Sequence, residues 1–156
     1  MEIERKYLIN KRLWESVKDP DRGTSIKQAY LSVDPCCTIR IRIKENQAFL
    51  TIKGESTGIS REEFEYAIPM AEGTEILKMA KSAVILKHRY KLDFKGFTWE
   101  IDEFHGDNEG LILAEVELKN ESEQPEWPEW VQSEVSGDPR FYNLNLALHP
   151  YKFWTP

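Results

Sequence analysis

The sequence predicts an α+β fold built on an eight-stranded antiparallel β-barrel, with a charged lumen and helices packed outside. Three observations carry that expectation. Apolar and polar residues alternate with period two through eight segments, the mark of strands. Charged residues gather on one face of those segments instead of being interspersed by sign. The other face is apolar each time, and short helical patterns between the strands can cover it.

The candidate strands are 2–9, 26–33, 38–45, 48–54, 61–68, 84–95, 97–104 and 111–119. Glu45-Asn46-Gln47 and Lys95-Gly96 read as hairpin turns. Asn10 can cap a short helix carrying Leu13, Trp14 and Val17. Thr74 is expected to cap a second, with Ile76, Leu77 and Ala80 on one side. From Pro125 onward Trp and Leu are interspersed with Pro and Gly, and helices are expected around 128–135 and 140–148.

The charges say which way the sheet faces. Segment 2–9 puts Glu2, Glu4 and Lys6 on one face, and segment 38–45 puts Arg40, Arg42 and Lys44 opposite Ile39, Ile41 and Ile43. Arg61, Glu63 and Glu65 lie opposite Phe64 and Tyr66. Lys87 groups with Arg89, Glu100 with Asp102, and Glu115 with Glu117, while Lys53 ends segment 48–54. Like charges two residues apart repel on a solvated face, and folding does not require them. A sheet closed on itself turns them inward, and about eight strands enclose one small ligand.

The proposed interior holds seven cations, Lys6, Arg40, Arg42, Lys53, Arg61, Lys87 and Arg89. It also holds seven anions, Glu2, Glu4, Glu63, Glu65, Asp102, Glu115 and Glu117. Guanidinium and ammonium groups suit phosphate oxygens. Clustered carboxylates suit hard divalent cations such as Mg²⁺. So many cations favour a chain of phosphates over a monophosphate. A triphosphate of roughly four negative charges with two divalent ions would bring the site near neutrality.

Composition narrows the classes further. At 156 residues the chain is read as a single domain, 1–156. Its net charge of −6 argues against nucleic acid as a partner. No apolar run is long enough to suggest a membrane span. Cys36 and Cys37 are adjacent, which offers no disulfide framework and reads as reduced thiols. With no apolar leader after Met1, the expected location is cytoplasmic. Monomer and homodimer both remain open.

The same residues carry a family resemblance. Glu2-Ile3-Glu4-Arg5-Lys6 resembles the E-x-E-x-K signature of the CYTH superfamily, the triphosphate tunnel metalloenzymes. Arg40-Ile41-Arg42, Thr51-Ile52-Lys53-Gly54, Arg61 through Glu65, Lys87-His88-Arg89, Asp102 and Glu115-Val116-Glu117 follow in family order. Gly137 through Asn143, continuing to Leu146-Ala147, resembles the family's closing segment.

The resemblance implies an eight-stranded tunnel open at both ends. It also implies hydrolysis of a triphosphate, inorganic triphosphate first, by metal-positioned water with Mg²⁺ or Mn²⁺. An adenylyl cyclase of the same class, a thiamine triphosphatase and a non-catalytic polyphosphate-binding module are the alternatives. By resemblance Glu2, Glu4, Glu115 and Glu117 are metal ligands, with Glu63, Glu65 and Asp102 as further candidates. Lys6, Arg40, Arg42, Lys53, Arg61, Lys87 and Arg89 would bind the substrate, and Glu4, Lys6 and Arg89 would act on the reacting phosphate. Arg140 is the one basic candidate in the closing segment. His88 is expected to point outward, and Trp127 and Trp130 to cover the wall or a tunnel mouth.

Overall fold

The computed structural model describes residues 1–155. Ten strands form one antiparallel sheet. They are β1 (Glu2–Ile9), β2 (Thr24–Asp34), β3 (Cys37–Lys44), β4 (Gln47–Gly54), β5 (Ser60–Arg61), β6 (Glu63–Ile68), β7 (Ile85–Phe94), β8 (Phe97–Phe104), β9 (Ile112–Glu117) and β10 (Val131–Glu134). Three helices accompany them: α1 (Lys11–Val17), α2 (Met70–Leu77) and α3 (Asn143–Leu148).

The path β1-β9-β8-β7-β2-β3-β4-β6 runs around the sheet. The segment expected as one strand, 61–68, bends at Glu62 and changes partner. Its Glu63–Ile68 part pairs with β4, while Ser60 and Arg61 pair with Ile3 and Glu2 of β1. That bent strand joins the two ends of the path, giving a ring of eight. β10 fills the remaining edge of β1, from Tyr7 to Ile9.

Two expectations for the C-terminal half need correcting. The segment 128–135 is not a helix; Val131–Glu134 is strand β10, because the unpaired backbone of β1 needs a partner. The segment 140–148 divides at Tyr142 into a 3₁₀ turn, Pro139–Phe141, and α3. Thr74 lies inside α2, which begins after Pro69, and its hydroxyl donates to the Met70 carbonyl. The Asn10 cap is present: its Oδ1 accepts from the Leu13 N–H at 3.1 Å. At Lys95-Gly96 both residues have positive φ, 46° and 86°, as a tight two-residue hairpin requires.

The apolar core lies outside the ring. Ile41 and Val116 are fully buried on the outward parity of β3 and β9. α1 packs Trp14 against Tyr90 and Trp130, and Trp99 meets Tyr7 and Trp130 in the same cluster. Trp127 lies edge-on to Tyr7, so the C-terminal tryptophans cover the wall. α2 lies on β3 and β4. A second cluster stoppers the barrel where β7 begins and β8 ends. There Ile85, Phe104 and Leu113 continue the inward parity of Lys87, Asp102 and Glu115 and meet Phe141, Leu146 and Ala147. α3 therefore caps an end of the barrel instead of lying along its side.

Gly73 sets how closely α2 approaches the sheet, since a Cβ there would overlap the Ala48 Cβ. Gly73→Ala should force the helix away and cost about 1–3 kcal/mol. Chemical denaturation measures it; wild-type stability in the variant would mean that α2 does not pack as described.

Candidate active site

Strand alternation brings the charged faces together around one cavity of about 400 Å³. Glu2, Glu4, Lys6, Arg40, Arg42, Lys53, Arg61, Glu63, Arg89, Glu115 and Glu117 all line it. Asp102, Lys87 and Glu65 do not. Asp102 is 1% exposed and accepts from Arg89 Nε at 2.7 Å, Arg89 Nη2 at 2.8 Å and Lys87 Nζ at 2.8 Å. With two cations on it, its surroundings are those of an anchor for Lys87 and Arg89. Glu65 stands behind Arg40, 3.7 Å from Nη2, and takes the Thr51 hydroxyl at 3.2 Å.

In ring order β3 lies across the barrel from the β1–β9 seam. Arg40 and Arg42 thus face Glu4 and Glu117. Arg42 is steered by Gln28, whose Oε1 accepts from Nε at 2.8 Å, and Arg40 by Thr51 at 3.1 Å. The buried Arg40 Nε has no partner, a donor aimed at nothing the chain itself supplies. Arg61 is held by the Gly54 carbonyl at 2.7 Å and 3.0 Å. Lys53 pairs with Glu2 at 3.0 Å and Glu63 at 3.7 Å. Lys6 pairs with Glu115 at 3.4 Å.

Glu4 and Glu117 stand opposite each other in the β1–β9 register, and among the described residues neither has an ion-pair partner. Burial, then Glu115 and Glu2, pushes Glu4 up to about 8. Burial and a hydrogen bond with Glu2 push Glu63 up to about 7. Burial opposes the charge on Glu115, yet Lys6 and Arg89 hold it well below the usual carboxylate range. Asp102 is likewise held low against burial, by Arg89 first and Lys87 second. Burial drives Lys87 down to about 7 against the pull of Asp102, and repulsion from Arg89 and Arg42 adds to the shift.

An all-oxygen donor set with one carboxylate forced toward neutrality fits a hard divalent cation. Among the described residues no three acidic, His or Cys side chains already converge at coordinating distance. Glu2, Glu4, Glu115 and Glu117 are the side chains that could close around an ion.

The C-terminal segment supplies contacts that charge patterning could not reveal. Asn143 Oδ1 accepts from Gln28 and Lys87, each at 3.0 Å, and the Phe141 carbonyl accepts from Lys6 Nζ at 3.0 Å. Tyr142 lies 5.8 Å from Lys6 Nζ, and Tyr30 also lines the cavity. Arg140 is turned away onto Asp138, at 2.6 Å. Glu100 takes Arg89 at 3.3 Å. His88 points outward onto His105, 2.7 Å away, and Cys36, in the β2–β3 turn, and Cys37, the first residue of β3, are exposed.

A ring of eight antiparallel strands with cations facing carboxylates across its lumen is a fold with known relatives. A family model described as the CYTH domain matches residues 1–142, and the chain belongs to that family. An inorganic triphosphatase from Acetivibrio thermocellus is 45% identical over 152 residues, covering 97% of this chain and 96% of the relative. Another, from Nitrosomonas europaea, is 31% identical over 155 residues, covering 94% and 97%. The crystal structure of an inorganic triphosphatase, 30% identical, matches with a TM-score of 0.64 over 94% of this chain and 97% of its own. A candidate adenylate cyclase from Bacillus halodurans, at 16% identity and a TM-score of 0.60 over 78% and 82%, shares the fold alone. No described helix is long and apolar enough to cross a membrane.

The raised pKa of Glu4 makes a signed prediction. A carboxyl whose folded pKa lies above its unfolded value gives stability that is complete below about 4.5 and lost as pH rises toward 8. Glu4→Gln should therefore raise the melting temperature of the metal-free protein at pH 8. The gain should shrink to nothing near pH 4.5, and divalent cation should stabilise the wild type more than the variant. Melting curves in chelator across that range decide it; a variant no more stable than wild type at the alkaline end contradicts the crowding.

Proposed function

We propose that the chain hydrolyses inorganic triphosphate to pyrophosphate and phosphate, with Mg²⁺ or Mn²⁺ as the metal. The observation that carries this reading is the division of the lumen: Arg40, Arg42, Lys53 and Arg89 surround space faced by the unpaired Glu4–Glu117 seam. Two relatives named inorganic triphosphatase, matched over nearly their whole length, support the same substrate.

Arg40 and Arg42, both in the cavity lining, would grip non-bridging oxygens through their guanidinium groups. Lys6 and Arg89, fixed by Glu115 and Asp102, would face charge building on the bridging oxygen as the bond to the terminal phosphorus breaks. Lys53 and Arg61 would hold the chain near the β4–β5 side of the lumen, and Lys87, with Asn143, would act by positioning Arg89 and Asp102. A bound divalent ion, held by Glu2, Glu4, Glu115 and Glu117, would neutralise phosphate charge and supply an activated water. Asp102 is a positioning residue in this reading, because both its oxygens are taken.

Incubation with inorganic triphosphate, ATP or thiamine triphosphate in Mg²⁺ or Mn²⁺ separates the alternatives. Phosphate release should be fastest from triphosphate, since the charged lining matches a phosphate chain and a nucleoside adds bulk at the mouth, and cyclic AMP should not form. A kcat/KM for cyclic AMP formation above that for triphosphate cleavage would overturn the proposal. Arg40→Ala and Arg42→Ala should each weaken triphosphate binding by about 2–5 kcal/mol, against less than about 1 for the exposed Arg12. Equal losses at all three would remove Arg40 and Arg42 from the cradle.

A further inference from the structure

We propose that the mouth formed by Arg22, Lys44 and Lys91 is a second phosphate site, separate from the triphosphate cradle. It lies where β2 begins and β3 and β7 end. A cavity of about 250 Å³ there is lined by Arg22, Thr24, Lys44, Arg89 and Lys91, with no carboxylate in the lining. Arg89 lines both this cavity and the larger one, and its guanidinium is clamped by Asp102.

The cations at this mouth are under-matched. Arg22 meets only Asp19, at 3.6 Å on the exposed surface. Lys91 reaches Glu100 at 3.8 Å, but Glu100 also takes Arg89 at 3.3 Å. Among the described residues Lys44 has no carboxylate in ion-pair contact. Burial lowers its pKa, and Lys91 and Arg89 add to the effect. Like charges around a concave space repel, and an anion seated among them removes that repulsion. The Thr24 hydroxyl and three flexible cationic side chains suit a compact anion with several oxygens, which a phosphate dianion is.

The site does not depend on the hydrolysis reading; only the origin of the phosphate does. It is either product leaving the cradle or phosphate from solution. Titration of inorganic phosphate into the metal-free protein, followed by calorimetry and ³¹P line width, tests the site without turnover. Lys44→Ala/Lys91→Ala should weaken one class of phosphate binding by about tenfold or more. Arg40→Ala/Arg42→Ala should weaken a different class, and the outer-surface pair Lys27→Ala/Lys95→Ala should weaken neither. The milder Lys44→Gln/Lys91→Gln guards against a folding defect and should reproduce the loss. Unchanged phosphate affinity in both Lys44/Lys91 variants, or loss only in Arg40→Ala/Arg42→Ala, overturns the proposal. Single-turnover cleavage of triphosphate then identifies the source. If product fills the site, phosphate release lags cleavage and the lag changes in Lys44→Ala/Lys91→Ala; if solution phosphate does, release tracks cleavage in both proteins.

Discussion

The ionic triad of Asp102, Arg89 and Lys87 is the interaction on which the rest of the lumen depends. A barrel that turns its charged faces inward must match those charges across strands, because an unpaired buried ion is strongly disfavoured. Asp102 on β8 does this for β7, accepting two bonds from Arg89 and one from Lys87. Arg89 then reaches Glu115 at 3.8 Å, Glu115 reaches Lys6 at 3.4 Å, and Lys6 reaches the Phe141 carbonyl. One network therefore links four neighbouring strands of the ring, β7, β8, β9 and β1, and the C-terminal segment. What the network leaves over is the seam where Glu4 faces Glu117, neither with an ion-pair partner among the described residues.

The apolar outer face makes that interior tenable. Tyr7, Trp14, Tyr90, Trp99 and Trp130 pack outside the strands whose inner faces carry Lys6, Arg89, Glu100 and Glu115. Each of these strands thus contributes hydrophobic burial on one side and lumen-facing charge on the other. The apolar cluster around Phe141 and Leu146 seals one end and fixes Asn143 where it can accept from Gln28 and Lys87. Packing at the cap and orientation in the cradle are coupled through those two hydrogen bonds.

Much of this was legible because strand periodicity fixes which side chains share a face. Arg40 and Arg42, or Glu115 and Glu117, could hardly be separated once the strands existed. The lumen faces followed from that rule, and so did the outward turn of His88. What alternation could not give was pairing between distant segments. Asp102 looked like any other interior carboxylate, and only its two cationic partners distinguish it. Asn143 and Gln28 carry no charge and left no pattern. Strand β10 was missed because Pro128 and Trp130 obscured a four-residue segment whose conformation is decided by the open edge of β1. The bend at Glu62 is likewise a product of closure, not of local sequence.

The proposed hydrolysis requires a phosphate chain and a divalent cation to share the lumen, with the cation at the Glu4–Glu117 seam and the phosphates on Arg40 and Arg42. Anomalous diffraction from crystals grown with Mn²⁺ and the slowly hydrolysed analogue imidotriphosphate tests it most directly. The expected result is a manganese peak between the β1 and β9 carboxylates, with analogue oxygens on the Arg40 and Arg42 guanidinium groups. Manganese bound elsewhere, or an analogue lying outside the ring of strands, would contradict it.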